Sequence, residues 1–422
     1  SRVRDADLIV VNTCSIREKP EHKVFSWLGR LAGLKKRRPD LLIAVAGCVA
    51  QQEGHRIFRR APHVDIVFGP GAVRKLPALV KQVRKERMQV VDVAAPSTAE
   101  PAEIRPLGAR SPRAVAFVTI MSGCDNFCTY CVVPYVRGRE ISRSPVRILE
   151  EIRHLVSAGV QEVTLLGQNV NSYGLNEGEG LDFAGLLARA DAVKGLKRLR
   201  FTTSHPKDLS ADLVRAFADL ETLAPHIHLP IQSGSDRVLK RMNRGYTRAL
   251  YLKKVDALRK VRTDIAVTTD IIVGFPGETR GDFDKTLELV RQVQFDNLYA
   301  FKYSDRPDVP ASRFSDKLDE MEKQERLAEL LEVQSRITRK KNQSLVGTTQ
   351  AVLVEGLSKK GNGQVTGHTP CNKIVNFPRD GVRIGQIVPV KILEAFSHSL
   401  LGRLDDHCGE RFRTKGGMLH AA

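Results

Sequence analysis

No apolar run in this chain approaches the ~18 residues that cross a bilayer, and no basic-then-apolar leader opens it. The reading is therefore of a chain with no membrane partner, at work in the cytoplasm. Cysteine is scarce, at seven in 422 residues, and the number is odd, which excludes a disulfide scaffold. Acidic residues are under-represented: 48 Asp and Glu stand against 67 Lys and Arg, for a net charge of +19. Such an excess points to a polyanionic partner, most often nucleic acid, against the alternative of a basic surface with no partner. What is present in quantity is apolar material, 42% of the chain, enough for about three domains of ~150 residues.

The pattern divides accordingly into an α/β multidomain chain. It opens with Ser-Arg-Val-Arg rather than Met, and runs directly into an apolar strand, Leu8–Asn12, which reads as an N-terminal truncation. Further strands are expected at 41–46 and 64–68. Between the first two, a helix begins near Pro20, with Val24, Phe25, Leu28, Leu31 and Leu34 on one face. Alternation of this kind predicts a small doubly wound parallel domain over residues 1–84. Prolines 96, 101 and 106 punctuate the linker at 85–109. Residues 110–342 carry six β-α repeats, with strands at 115–121, 162–166, 198–203, 227–231, 265–273 and 298–303. They end in a long helix over 316–343. That suits a partial or full parallel barrel, whose chemistry lies at the C-terminal strand ends. Period-2 segments over 345–408 predict a small antiparallel β-barrel of OB-like character, and 409–422 reads as a patternless tail.

Gly123-Cys124-Asp125-Asn126-Phe127-Cys128-Thr129-Tyr130-Cys131 carries a C-x3-C-x2-C run. Three thiolates on one loop can each take one iron of a [4Fe–4S] cube and leave the fourth iron open to an external molecule. This arrangement resembles the radical S-adenosylmethionine (SAM) superfamily, in which SAM takes the open iron. The alternative is zinc or three core cysteines. Zinc would want a fourth ligand nearby, and the nearest histidine, His154, falls in a predicted helix. Cys14 and Cys48 each end a predicted parallel strand, on the edge where open α/β sheets bind ligands. They read either as ligands of a second cluster or as buried thiols. Cys371 and Cys408 lack partner spacing and read as free thiols.

Asn12-Thr13-Cys14-Ser15-Ile16-Arg17-Glu18-Lys19, Ala46-Gly47-Cys48-Val49-Ala50-Gln51 and Cys128 through Glu140 resemble the methylthiotransferase family. The closest likeness is to its tRNA branch, the tRNA-2-methylthio-N6-dimethylallyladenosine synthases. His228-Leu229-Pro230-Ile231-Gln232-Ser233-Gly234-Ser235 and Gly274-Phe275-Pro276-Gly277-Glu278-Thr279 extend the likeness through the barrel. Ser397-His398-Ser399-Leu400 closes a module similar to the TRAM domain, a small RNA-binding barrel. The resemblance implies two [4Fe–4S] clusters and SAM. One cluster would be held by Cys124, Cys128 and Cys131, the other by Cys14, Cys48 and a third cysteine upstream of Leu8. It further implies tRNA, through its anticodon stem-loop, and a reductant such as a flavodoxin or ferredoxin. The implied activity is methylthiolation at C2 of N6-isopentenyladenosine 37. Rival readings are a methylthiotransferase for threonylcarbamoyladenosine or a ribosomal-protein Asp, and a non-catalytic metal-containing RNA-binding protein.

Gln168, Asn169, Ser204 and Gln232 follow barrel strands, and the likeness implies SAM contacts there. His205, His226 and His228 read as structural. Arg137, Arg139, Lys240, Arg241 and Arg244 are candidate phosphate contacts, since a guanidinium fork bonds two oxygens. Lys35 to Arg38 reads as a solvated helix end.

Overall fold

The computed structural model describes residues 3–14, 18–94, 114–175, 180–359, 361 and 363–405. Cys408, the tail and most of the proline-rich stretch lie outside them. The described residues divide into two compact units. One comprises Ser1–Ile104, Met121–Ser142 and Ser304–Arg313; the other comprises Arg105–Ile120, Arg143–Tyr303 and Phe314–Ala422.

In the first unit, β1 (Leu8–Thr13), β2 (Leu42–Gly47), β3 (Ile66–Phe68) and β4 (Val90–Asp92) form a wholly parallel sheet in that order. The fourth strand lies within 85–109, a stretch whose prolines read as linker. Side chains alternate along β2, so one strand feeds two cores. Ile43 and Val45 pack with Leu28 and Leu31 of the helix Glu18–Arg37. Leu42, Ala44 and Ala46 pack with Leu79 and Val83 of the helix Leu76–Glu86. This is the expected doubly wound arrangement. Lys35, however, is not solvated: its Nζ donates to Asp65 Oδ1 at 2.8 Å, where burying the stem keeps the charge paired. The same unit holds a short antiparallel ribbon, Met121–Ser122 with Ile141–Ser142, which closes the cysteine-rich loop at its base.

The second unit carries β5 (Val115–Thr119), β6 (Glu162–Leu166) and β7 (Arg198–Phe201) in one parallel sheet. A second parallel sheet holds β8 (His226–His228), β9 (Ala266–Val273) and β10 (Asn297–Lys302). A parallel bridge between Leu199 and Leu223 joins the two halves. The expected partial (β/α) barrel is thus formed. After the helix Glu320–Gln343, the strands β11 (Thr349–Leu357), β12 (Gln364–His368), β13 (Ile374–Pro378), β14 (Ile387–Ala395) and β15 (Leu400–Leu404) close a small barrel. Its pairs are antiparallel except β13 with β15, which run parallel; that one pairing departs from the all-antiparallel expectation.

Candidate active site

The C-x3-C-x2-C loop is held by backbone geometry rather than by regular structure. Gly123 adopts a φ of 84°, and a Cβ there would lie 1.9 Å from the Arg139 carbonyl oxygen. Only glycine tolerates that approach. Cys124 N donates to Gly138 O at 3.2 Å, and Asp125 and Glu140 exchange backbone-to-carboxylate bonds at 3.2 Å each. Cys131 N donates to Cys128 O at 2.9 Å. Phe127, between two of the cysteines, sits at a φ of 45°, a strained conformation of the kind found at functional sites.

Cys128 is buried, and Cys124 and Cys131 are half-buried. Burial pushes the Cys124 thiol up to about 11, with Glu140 and Cys128 adding to the effect; Asn126 opposes it through a backbone hydrogen bond and an Nδ2 donated to the sulfur at 3.5 Å. A thiol so desolvated is a poor free nucleophile but becomes a thiolate on binding a metal. Among the described residues no three His, Cys, Asp or Glu side chains converge as one metal ion would require. A cube makes no such demand, because each thiolate takes a different iron. The donor set therefore fits an iron–sulfur cluster.

The parallel register pairs Thr13 with Gly47, so the residues that follow the two paired strands are Cys14 and Cys48. Thr13 secures this edge: its hydroxyl donates to Ala46 O at 2.6 Å and accepts from Val49 N at 3.2 Å and Ala50 N at 3.4 Å. Gly47 has a φ of 95°, and a Cβ there would meet Thr13 O at 2.3 Å. Cys14 is exposed, whereas Cys48 is buried against Val132, Val136 and Val309. Arg137 Nε donates to Cys48 Sγ at 3.3 Å.

In the second unit, Gln168 and Asn169 follow β6, Ser204 follows β7, and Gln232 follows β8. Thr203 and Gln232 take φ of 68° and 73°, so two strand ends carry strained non-glycine residues. Asn169, Ser204 and Gln232 are buried. Asn169 Nδ2 donates to Asp208 Oδ2 at 2.7 Å, while its Oδ1 and the Ser204 hydroxyl find no partner among the described residues. His226 and His228 instead flank Thr268, with ring nitrogens 3.4 Å and 3.0 Å from its hydroxyl. His228 Nε2 also lies 3.5 Å from Asp270 Oδ2.

The phosphate candidates fare unevenly. Lys240 is exposed and Arg139 is exposed but paired with Asp125 at 2.8 Å. Arg137 is turned onto Cys48, and Arg241 pairs with Asp316. Arg244 is a correction. It is 4% exposed, donating Nη2 to Pro230 O at 2.8 Å and Nε to the Tyr246 hydroxyl at 2.9 Å. Its fork serves a buried turn, because the chain after the helix Asp236–Arg241 folds back over β8. Asn171 and His205 are buried beside Asn169 and Ser204, and the sequence reading does not single out Asn171.

Comparison with known proteins agrees with this layout. The radical SAM superfamily matches residues 118–290, the family described as uncharacterized protein family UPF0004 matches 1–69, and the TRAM domain matches 343–404. A solved radical SAM methyltransferase, TsrM from Kitasatospora setae, shares the fold at a TM-score of 0.55 and 14% identity. The match covers 72% of this chain and 64% of that one, a little under two thirds of its length. Fold and site thus define a radical SAM enzyme carrying a TRAM module. The tRNA-2-methylthio-N(6)-dimethylallyladenosine synthase of Desulfosudis oleivorans is 50% identical, over 99% of this chain and 92% of that protein. That of Geobacter metallireducens is 51% identical, over 95% and 90%. The chain belongs to the tRNA-2-methylthio-N(6)-dimethylallyladenosine synthase family, and so to the radical SAM tRNA methylthiotransferases.

Proposed function

We propose that this protein methylthiolates C2 of N6-isopentenyladenosine at position 37 of tRNA. The observation that carries the reading is the pair of cysteine sets in the first unit: the triplet at 124, 128 and 131, and the adjacent strand ends at Cys14 and Cys48. When bound, a [4Fe–4S] cluster on the triplet would supply the electron for reductive SAM cleavage, and an auxiliary cluster on Cys14, Cys48 and the third cysteine that the likeness implies would supply sulfur.

The chain's own residues do the positioning. Gly123 and the Asp125–Glu140 exchange hold the three thiols on one tight loop. Arg137 donates to the Cys48 sulfur and would balance the charge that sulfur carries as a cluster ligand. Val132, Val136 and Val309 keep water from that sulfur. Gln168, Asn169, Ser204 and Gln232 present amide and hydroxyl groups suited to SAM's polar groups. A base in an anticodon loop is already single-stranded, so splaying it into a site is cheap. A reduced thiol set suits the cytoplasm, with a flavodoxin- or ferredoxin-type reductant as electron source.

Mass spectrometry of tRNA tests the reading. A strain lacking its own enzyme should accumulate isopentenyladenosine, and expression of this protein should convert it to the 2-methylthio form. Unconverted isopentenyladenosine, with the protein present and loaded with iron, would sink the assignment.

A further inference from the structure

Four polar atoms beyond the ends of β6 and β7 are buried without a hydrogen-bond partner among the described residues: Oδ1 of Asn169, Oδ1 of Asn171, Oγ of Ser204 and Nε2 of His205. Their residues are 1%, 5%, 5% and 5% exposed. Folded proteins leave few such groups unmade, because each forfeits its hydration without recompense. Four on two neighbouring strand ends mark a place that a ligand completes.

The far side of three of these groups is already fixed. Asn171 Nδ2 donates to His205 O at 3.5 Å, and Asn169 Nδ2 to Asp208. His205 Nδ1 accepts from Lys207 N at 3.2 Å, which puts the ring proton on Nε2. Burial, together with the positive charges of Arg244, Lys207 and Lys254, keeps this imidazole far below its ordinary range, so it stays neutral. Tyr246 packs against the ring in a T-shaped contact at 5.6 Å and fixes its orientation. His205 is therefore a preset neutral donor, not an acid or base.

The chemistry of the set limits what it accepts. It offers two amide oxygens that accept, one hydroxyl that does either, and one N–H that donates, and none is charged. The neighbouring cations are engaged elsewhere: Arg244 with Pro230 O, Lys207 with Asp208 at 3.7 Å, and Lys254 with the carbonyls of Pro206, Lys207 and Leu209. A phosphate or carboxylate finds no counter-charge here. A nucleoside fits, with its hydroxyls or exocyclic N–H donating to the amide oxygens and a ring nitrogen or sugar oxygen accepting from the imidazole.

We infer that His205 and Asn171 are nucleoside-binding residues at these strand ends, with Nε2–H of His205 as the donor that orients the ligand. The inference rests on the radical SAM reading above and deepens it. Two adenosines take part in that reaction, one within SAM and one in the tRNA, and the experiment separates them.

Cluster-loaded enzyme is prepared as wild type, His205→Gln, His205→Asn, His205→Leu and Asn171→Ala. SAM affinity is measured by isothermal titration, KM for tRNA by single-site turnover, and the thermal midpoint alongside. Gln places its amide N–H near the Nε2 position, whereas Asn places it near Nδ1. Loss of one hydrogen bond in a buried site should weaken binding about tenfold. Loss of SAM affinity in the Leu, Asn and Asn171→Ala variants, with recovery to within about twofold in His205→Gln, assigns the site to SAM. The same pattern in KM for tRNA, with SAM affinity unchanged, assigns it to the target nucleoside. Wild-type behaviour of all four variants overturns the inference. So does an equal loss in His205→Gln and His205→Leu together with a fallen midpoint, which would make the ring a packing element. A wild-type enzyme that binds no SAM overturns instead the reading on which the inference rests.

Discussion

Arg200, in β7, donates its Nη2 to the Thr369 carbonyl at 2.9 Å, tying the core strand to the turn between β12 and β13. Arg198 adds bonds to His368 O at 2.9 Å and Ala351 O at 2.6 Å, and both arginines face Glu162. Lys373 of the barrel reaches Asp296 at 3.5 Å, and Cys371 Sγ donates to Asp264 O at 3.4 Å. Glu162, Arg198, Asp264 and Asp296 all lie at or just before the N-terminal ends of core strands. The small barrel is therefore docked on the end of the core opposite Ser204 and Gln232, with β7, about 10 Å long at ~3.3 Å per residue, running between the two ends.

That clamp is a buried ion cluster, and it predicts a large destabilisation. Glu162→Leu should leave Arg198 and Arg200 buried without their carboxylate and cost about 3–5 kcal/mol. Burial, with Arg200 adding to it and Glu162 opposing it, already pulls the Arg198 guanidinium down to about 10. Chemical denaturation of the two proteins measures the difference, and a loss under about 1 kcal/mol would show that the backbone carbonyls suffice.

Cys128→Ala should abolish SAM cleavage while leaving the fold intact, since two thiolates hold a cube poorly. An anaerobic assay of 5′-deoxyadenosine decides this, and undiminished product in the variant would remove the triplet from the chemistry.

Gly47→Ala tests the other cysteine pair. The added methyl would overlap Thr13 O in a backbone conformation that side chains rarely adopt, and it should part β1 from β2 at the last paired residues before Cys14 and Cys48. In protein supplied with the third thiolate that the family likeness implies for this edge, iron bound per chain should fall to that of the triplet's cluster alone, with SAM cleavage retained. Unchanged iron would mean that no second cluster sits at this edge.

Asp282 predicts acid lability. Burial by itself would raise its carboxyl, but bonds from Arg237, Ser235 and Thr279 outweigh burial and hold it well below the ordinary range. Its stabilisation is thus complete above the usual aspartate value near ~4 and is lost as pH falls through the lower folded value. The thermal midpoint of wild type should exceed that of Asp282→Asn at neutral pH, and the gap should close as the solution is acidified. A gap that persists undiminished into strong acid contradicts the assignment.

Lys391 and Arg403 are exposed and directly opposite one another on β14 and β15. Facing like charges repel, which an overlying phosphate relieves. Changing both to Gln should weaken tRNA binding and reduce the log–log salt slope by about 1.4–1.8. Fluorescence anisotropy across salt concentrations reads the slope, and an unchanged value places the RNA contact off this face.

Much of this was legible from local sequence. The cysteine triplet declares itself because its three residues share one short loop, and β6 runs over the residues 162–166 that the sequence predicts. The neighbouring places of Cys14 and Cys48 followed from parallel strands ending on one edge, a rule of topology that needs no side-chain detail. The tertiary structure alone decided which polar atoms have partners. Arg244 carries the same charge as Lys240 four residues earlier, yet one is buried on Pro230 and the other stands in solvent. Arg137 finds Cys48 from 89 residues away. His205, whose Nδ1 is satisfied two residues along the chain, keeps an unmade Nε2–H only because β6, β7 and their loops close around it. Pattern reports periodicity and spacing, which are local; burial and pairing depend on what distant segments bring, and in this protein those contacts set the chemistry of the site.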